Sequence, residues 1–374
     1  MLYNGIRTTH YALKGTTDMP NGNLLIEIKD LKTYFPLDEG TVKAVDGATF
    51  DIRRGETLGV VGESGCGKSM VARSILGIVD SPGRIVGGQI LYHRAARGMD
   101  NAIEVVDLAR LNPRGAEIRA IRGAEIAMIF QEPMTALSPV YTIGNQIIET
   151  IEQHRQMAAD AARAEAIRLL REVGMSLPER RVDEYPHQLS GGMRQRAMIA
   201  MALSCQPALL IADEPTTAVD VTTQAQILEL MRRLKTERGM GIVMITHDLG
   251  VIAEMAERVV VMYLGRVVEV ASVRGLFRDA KHPYTIALLN SIPKVGRKAR
   301  VRLKPVTGMV PSPYNRPAGC LFHPRCPSLM PGVCDRSEPP LVMVGGGQAA
   351  AGDRSRVPGE SQVACWLFGG GPSQ

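Results

Sequence analysis

Residues 62–69, GESGCGKS, constrain this sequence more than any other segment, because they fit the phosphate-loop pattern G-x-x-x-x-G-K-[ST]. The strand-like segment TLGVV precedes them and a helical segment follows, which is the context that the pattern requires. Glycines let backbone N–H groups wrap a phosphate, and the helix N-terminus adds the positive end of its dipole. We therefore predict that a nucleotide is bound by Gly62, Glu63, Ser64, Gly65, Cys66, Gly67, Lys68 and Ser69.

The segment ALLIADEP supplies the acidic groups that a phosphate loop needs. Apolar residues lead into Asp213 and Glu214, so both carboxylates should lie at the carboxyl end of a buried strand, beside the phosphate loop. We predict that Lys68 reaches the β- and γ-phosphates, that the Ser69 hydroxyl binds Mg²⁺ and that Asp213 binds it through water. Glu214 is placed to polarise the attacking water as general base.

Strand-like and helical segments alternate through most of the chain, which predicts an α/β fold with a mainly parallel sheet. Composition divides the chain into three parts. Residues 1–23 are a polar extension without periodicity, and residues 24–290 form the main domain. Residues 291–374 are a C-terminal extension rich in Pro, Gly, Arg and Cys.

Charge and hydropathy exclude two classes of protein. The net charge is +6, but the basic excess lies in the C-terminal extension, whereas a nucleic-acid groove would place it on the main domain. No apolar run is long enough to cross a bilayer, and the N-terminus lacks the apolar segment of a signal peptide. We expect a soluble, cytoplasmic protein that binds no nucleic acid.

The segment LSGGMRQR, residues 189–196, resembles the LSGGQ signature of the nucleotide-binding subunits of ABC transporters, with Met193 where Gln is usual. The variant is similar to the D-type ATPases of the dipeptide/oligopeptide/nickel import family. The resemblance implies a P-loop NTPase (RecA-like) ABC nucleotide-binding domain, with an inserted helical subdomain at about 132–195. It also implies that Ser190, Gly191 and Gly192 reach the nucleotide of a second subunit in a head-to-tail dimer.

Three further positions match motifs of that family in the expected order. Gln131 resembles the Q-loop glutamine, which senses Mg²⁺ and water, so it is the third predicted Mg²⁺ ligand beside Ser69 and Asp213. His247 resembles the switch histidine that contacts the γ-phosphate. Phe35, or else Tyr34, matches the aromatic residue that stacks on adenine. The catalytic residues implied are therefore Glu214, His247 and Gln131.

The C-terminal extension contains Cys320, Cys326, Cys334 and Cys365 with the spacing C-x5-C-x7-C-x30-C. Four thiolates suit a [4Fe–4S] cluster or a tetrahedral Zn²⁺ site, and the third alternative is four reduced structural thiols. The segments HPYTIALLNSIP and VPSPYNRPAGCLFHPRCP resemble the extension of the peptide-transporter ATPases, some of which are iron–sulfur proteins. This resemblance favours the cluster.

Together these features predict an ATPase that powers a membrane importer of peptides or related solutes, with ATP and Mg²⁺ as ligands. The family pattern implies a heterodimer with a second ABC ATPase, two transmembrane permeases and an extracytoplasmic solute-binding protein. The chain would lie at the cytoplasmic face of the inner membrane. The alternative is a soluble non-transport ABC ATPase acting on nucleic acid or the ribosome.

Overall fold

The computed structural model describes residues 23–95, 103–217, 219–291, 306–345 and 361–369. The predicted N-terminal extension, residues 1–23, lies outside these ranges except for Asn23. The strands are β1 (Leu24–Leu37), β2 (Gly40–Arg53), β3 (Thr57–Val61), β4 (Arg84–Ala95), β5 (Ile103–Asp107), β6 (Ile126–Ile129), β7 (Leu209–Asp213), β8 (Gly241–Ile245), β9 (Arg258–Tyr263), β10 (Arg266–Ser272), β11 (Val342–Val344) and β12 (Ser361–Val363).

The α-helices are α1 (Lys68–Leu76), α2 (Ala116–Ile121), α3 (Pro133–Ala136), α4 (Ile143–Arg155), α5 (Ala159–Glu172), α6 (Pro178–Arg181), α7 (Gly191–Leu203), α8 (Val221–Arg238), α9 (Leu249–Met255), α10 (Val273–Asp279) and α11 (Pro283–Asn290). Short 3₁₀ helices cover Leu108–Arg110, Pro186–Gln188 and His323–Arg325. In the described part of the chain, none of the helices is both long and apolar enough to cross a membrane.

The core of the molecule is an eight-stranded sheet with the strand order β11-β12-β10-β9-β3-β8-β7-β6. Strands β9, β3, β8, β7 and β6 are parallel to one another. Every residue of β3, β7 and β8 is buried, as expected for strands covered on both faces. Because parallel strands end on the same edge, the segments that follow β3, β6, β7 and β8 lie close together.

The predicted α/β fold is confirmed, but the sheet is mixed rather than mainly parallel. Strands β10, β12 and β11 are antiparallel to their neighbours. A second sheet, with the order β2-β1-β4-β5, is entirely antiparallel. Only two residues connect β1 and β2. Parallel strands need a crossover of about a dozen residues or more, so these two strands are antiparallel.

Five helices, α3 to α7, lie between β6 and β7, in the region where the helical subdomain is predicted. Their apolar side chains share a core with the sheet. Ile147 of α4, Leu169 of α5 and Met198 of α7 are fully buried in the same cluster as Ile129 of β6. These contacts pack the helices against the β6 edge of the parallel sheet.

The C-terminal extension is part of the sheet in its described residues. Strand β12 pairs with β10, where Gln362 is opposite Val270, and β11 pairs with β12. The aromatic rings of Tyr263, Tyr284 and Phe322 pack together with centroids 4.7–5.4 Å apart and are fully buried. This aromatic cluster joins β9, α11 and the extension into one core.

Candidate ATP-binding and catalytic site

The phosphate loop lies between β3 and α1, and close backbone contacts require the glycines at its two ends. Gly67 has a φ of 99°, and a Cβ atom there would lie 2.3 Å from the backbone oxygen of Ala44. A Cβ atom on Gly62 would lie 2.3 Å from the backbone oxygen of Met262. At Gly65, by contrast, a Cβ atom would meet nothing within 4 Å. The loop is thus packed at both ends and open in the middle.

Lys68, the first residue of α1, turns back toward the loop. Its Nζ atom donates to the carbonyl oxygens of Gly62 at 2.9 Å and Glu63 at 3.0 Å. The Cys66 side chain is buried, with its Sγ atom 3.7 Å from Nζ, and burial raises the pKa of the Cys66 thiol. The ammonium group is therefore held at the loop, where it can pair with phosphate oxygens.

Two of the three predicted magnesium ligands, Ser69 and Asp213, are in contact, while the Gln131 amide donates to Glu214. The Ser69 hydroxyl donates to Oδ1 of Asp213 at 3.0 Å, across the carboxyl ends of β3 and β7. Burial raises the pKa of Asp213. A hydroxyl and one carboxylate are the kind of partial oxygen shell that Mg²⁺ uses when waters and substrate phosphates complete its coordination. The residues present therefore fit a phosphate-bound Mg²⁺ ion.

The side chains of two predicted catalytic residues, His247 and Gln131, converge on the carboxylate of the third, Glu214. Glu214 Oε1 lies 3.1 Å from Nδ1 of His247, and Glu214 Oε2 accepts from Nε2 of Gln131 at 3.1 Å. The Thr217 hydroxyl also donates to Oε2, at 2.9 Å. Burial opposes ionisation, but the hydrogen bonds from His247 and Thr217 outweigh it, so the pKa of Glu214 is lowered.

Backbone strain sets the direction of this carboxylate. Glu214 has a φ of 47°, which non-glycine residues rarely adopt, directly after the last residue of β7. Its backbone N–H donates to the carbonyl oxygen of Ile245, at the end of β8, over 2.8 Å. Strained residues that are fixed by their surroundings are concentrated at functional sites.

Helix α7 begins within the signature-like segment, where Ser190 and Gly191 are exposed. Ser190 is the N-cap residue, and its hydroxyl accepts from the backbone N–H of Met193 at 3.4 Å. A Cβ atom on Gly191 would meet nothing within 4 Å. This hydrogen bond lies within the segment itself. The contact of Ser190, Gly191 and Gly192 with a nucleotide in another subunit stays a prediction.

The two candidate aromatic residues for adenine have different environments. The Phe35 ring packs against Gly83, where a Cβ atom would lie 2.4 Å from Cε1 of Phe35. The Tyr34 hydroxyl donates to Asp46, and burial together with this bond raises the pKa of Tyr34 to about 12. The stacking role of either residue stays a prediction.

Sequence reasoning missed four residues that support the site. Thr217 follows Glu214 by three positions, so the segment DEPTT contained a signal for it. Tyr284, Arg325 and Arg316 come from the C-terminal part of the chain. Their partners, Glu63 and Asp46, precede them by more than 200 positions, which leaves no local pattern.

Comparison with known proteins adds independent findings. The family model described as "ABC transporter" matches residues 45–217, and the model "Oligopeptide/dipeptide transporter, C-terminal region" matches residues 268–334. A probable peptide ABC transporter ATP-binding protein of Sinorhizobium fredii is 48% identical over 90% of this chain and 96% of its own length. An oligopeptide transport ATP-binding protein of Bacillus subtilis is 50% identical, over 85% of this chain and 93% of its own.

The chain belongs to the ABC transporter ATP-binding proteins. The solved structure of a dimeric ATP-binding cassette, MJ0796, bound to ADP and Pi, is similar with a TM-score of 0.58 and 27% identity. The similarity covers 67% of this chain and 100% of the MJ0796 chain. The predicted family and ABC cassette fold are confirmed, and so is the ATPase class, with ATP and Mg²⁺ as the ligands expected of it.

The prediction of a [4Fe–4S] cluster at the four cysteines of the C-terminal extension is wrong, and the zinc alternative is also unsupported. All four lie in the described residues, where no group of three or more His, Cys, Asp or Glu side chains could hold a metal ion. Burial raises the pKa of Cys320 to about 11 and raises that of Cys326 and Cys365, which favours neutral thiols over thiolate ligands. Cys320 and Cys326 instead pack against the hydrophobic core.

Proposed function

We propose that this chain is the ATP-hydrolysing subunit of a membrane importer for peptides or related solutes. The relatives named above are peptide and oligopeptide transport ATP-binding proteins, and the chain matches them over most of its length. The match to the C-terminal region of oligopeptide/dipeptide transporters supports the same substrate class. The observation that carries the proposal is the convergence of Gln131, Thr217 and His247 on Glu214, beside the Ser69–Asp213 pair.

The side chains divide the work of hydrolysis. Lys68 pairs with the phosphates, while Ser69 and Asp213 hold Mg²⁺, which neutralises phosphate charge when it is bound. Glu214, ionised at neutral pH, accepts the proton of the attacking water. His247 and Gln131 fix the carboxylate by hydrogen bonds and are placed to orient that water.

The proposed assembly contains a second, related ATPase, two permeases and an extracytoplasmic solute-binding protein. The exposed N-terminus of α7 supports a head-to-tail dimer, because Ser190 and Gly191 present a helix N-terminus that suits a phosphate. Met134, Val140 and Tyr141 are exposed around α3, where they can receive a permease segment at the cytoplasmic face of the inner membrane.

A non-transport ABC ATPase acting on nucleic acid or the ribosome is not favoured. The relatives that match most of the chain are transport proteins by name. The near-neutral main domain also lacks the basic excess of a nucleic-acid groove.

Peptide uptake by the native cell tests the proposal. The gene is replaced by versions that encode Glu214→Gln or, as a control, Glu254→Gln, whose residue is exposed on α9 and pairs with Arg232. Uptake of labelled di- and oligopeptides should be lost in the first strain and kept in the second, with equal amounts of both proteins. Unchanged uptake of all peptides in a strain whose purified variant has no ATPase activity would contradict a role in peptide import.

A further inference from the structure

A side chain of the C-terminal extension is bound directly to the phosphate loop. Arg325 donates through Nη1 to Glu63 Oε2 at 2.7 Å and through Nη2 to Glu63 Oε1 at 3.0 Å. The Arg325 side chain is only 3% exposed and that of Glu63 is 25% exposed. A two-point contact between guanidinium and carboxylate fixes orientation as well as distance, and partial burial protects it from screening by solvent.

Arg325 is itself held rigidly. Its Nε donates to the carbonyl oxygen of Thr307 at 3.0 Å, and its Nη1 to the Tyr263 hydroxyl at 3.2 Å. The guanidinium also lies over the rings of Tyr263 and Phe322, about 6 Å from each centroid. The extension therefore presents a fixed arginine to the loop.

Glu63 is held from the backbone as well. Its N–H donates to the hydroxyl of Tyr284, a fully buried residue of α11, at 2.8 Å. Its carbonyl oxygen accepts from Nζ of Lys68 at 3.0 Å. One residue thus connects Arg325 and Tyr284 to the lysine that is assigned to the phosphates.

We propose that Arg325 is a positioning residue for ATP binding, through which the C-terminal extension fixes the phosphate loop by holding Glu63. Without this contact, Glu63 keeps only its backbone hydrogen bond to Tyr284, and its carbonyl oxygen holds Lys68 less firmly in place. The loop must then be ordered when the nucleotide binds, which weakens affinity. This inference rests on the assignment of residues 62–69 to phosphate binding.

The main test compares two arginines in the full-length chain. Arg325→Met removes the contact to the loop. Arg258→Met is the matched control, because Arg258 also makes a two-point contact, with Asp51 at 2.9 Å, at the opposite edge of the sheet. Affinity for Mg·ATP is measured by calorimetry well below the unfolding temperature of each variant, and thermal unfolding is followed in parallel.

Both variants should unfold at lower temperature, but only Arg325→Met should raise the Kd for Mg·ATP, by about tenfold, as expected for a charge-assisted contact that preorganises a site. Arg325→Lys keeps the positive charge but cannot make the two-point contact with the Glu63 carboxylate, so it should recover only part of the affinity for Mg·ATP. A Kd within about twofold of wild type for Arg325→Met would overturn the inference. The expected tenfold change, about 1.4 kcal/mol, lies well outside that range and is readily measured.

Glu63→Gln keeps the test decisive if Arg325→Met does not fold. It leaves the side-chain shape and should raise the Kd in the same direction, and an unchanged Kd would overturn the inference. Lys68→Ala separates this result from the underlying assignment. If Lys68→Ala binds Mg·ATP as well as wild type does, the phosphate-loop assignment fails, whatever the arginine variants show.

Discussion

Nδ1 of His247 lies 3.1 Å from Oε1 of Glu214, although the two residues belong to different strand ends, after β8 and β7. The contact joins an exposed histidine to a carboxylate whose side chain is 16% exposed. Together with Gln131 and Thr217, it leaves the Glu214 carboxylate hydrogen-bonded on both oxygens. A carboxylate held in this way is oriented before any nucleotide arrives, which is the condition for efficient general-base catalysis.

Glu214→Gln should abolish ATP hydrolysis while ATP binding is kept. The amide has nearly the shape of the carboxylate but cannot accept a proton, so a loss of about 10²-fold or more in rate is expected for a missing general base. ATPase assays and calorimetry with Mg·ATP measure the two effects separately. Substantial residual hydrolysis would remove Glu214 from the role of base, and Glu254→Gln provides the surface control.

Gly191→Asp should stop hydrolysis without affecting ATP binding to the isolated chain. Gly191 is exposed, and a Cβ atom there meets nothing within 4 Å, so the fold should be unaffected. The added carboxylate would face the phosphates of the opposite subunit and repel them. The measurements are circular dichroism, ATP affinity and ATPase activity in the assembled transporter. Gly191→Ala, which adds no charge, should retain more activity, and equal activity of Gly191→Asp and wild type would argue against the head-to-tail contact.

Gly67→Ala should destabilise the chain even without nucleotide. Its φ of 99° is unfavourable for alanine, and the new Cβ atom would lie 2.3 Å from the carbonyl oxygen of Ala44. We expect the free energy of unfolding to fall by about 2 kcal/mol or more, measured by urea denaturation. Gly65→Ala is the control, because it meets no atom within 4 Å and carries only the strain of its φ of 77°, about 1 kcal/mol. Equal losses for the two variants would contradict this steric account.

Local patterns predicted the centre of the site, and long-range contacts decided the rest. The phosphate loop and the two carboxylates after β7 each lie in one contiguous segment that has a recognisable pattern. Parallel strands bring such segments together at the carboxyl edge of the sheet. Arg325 and Glu63 are 262 positions apart in the sequence, and no local pattern predicts their contact. The cysteine prediction was wrong for a related reason: spacing along the chain does not fix where sulfur atoms lie, and burial favours the neutral thiols. The antiparallel second sheet was missed because strand-like segments alone do not specify strand direction.

His282 should make stability depend on pH below neutrality. The side chain is buried at the N-terminus of α11, where Nδ1 accepts from the backbone N–H of Tyr284 at 3.0 Å. Burial lowers its pKa from 6.5 to about 3. Between pH 3 and pH 6.5 the unfolded chain binds a proton at His282 that the folded chain excludes. The contribution of the neutral, buried imidazole to the free energy of unfolding is therefore complete above pH 6.5 and declines as the pH falls toward 3. From pH 7 to pH 5 the loss should be about 2 kcal/mol.

His282→Asn isolates that contribution. Asparagine also accepts a hydrogen bond at a helix N-terminus but does not titrate, so the cap is kept and the proton linkage is removed. The buried Glu269, which accepts from the backbone N–H of His282 at 2.9 Å, is present in both proteins and cancels in the comparison. Urea unfolding at pH 5, 6 and 7 should therefore give a smaller decline in the free energy of unfolding for His282→Asn than for wild type. Parallel declines would mean that the imidazole is protonated in the folded chain, and that its burial does not lower its pKa.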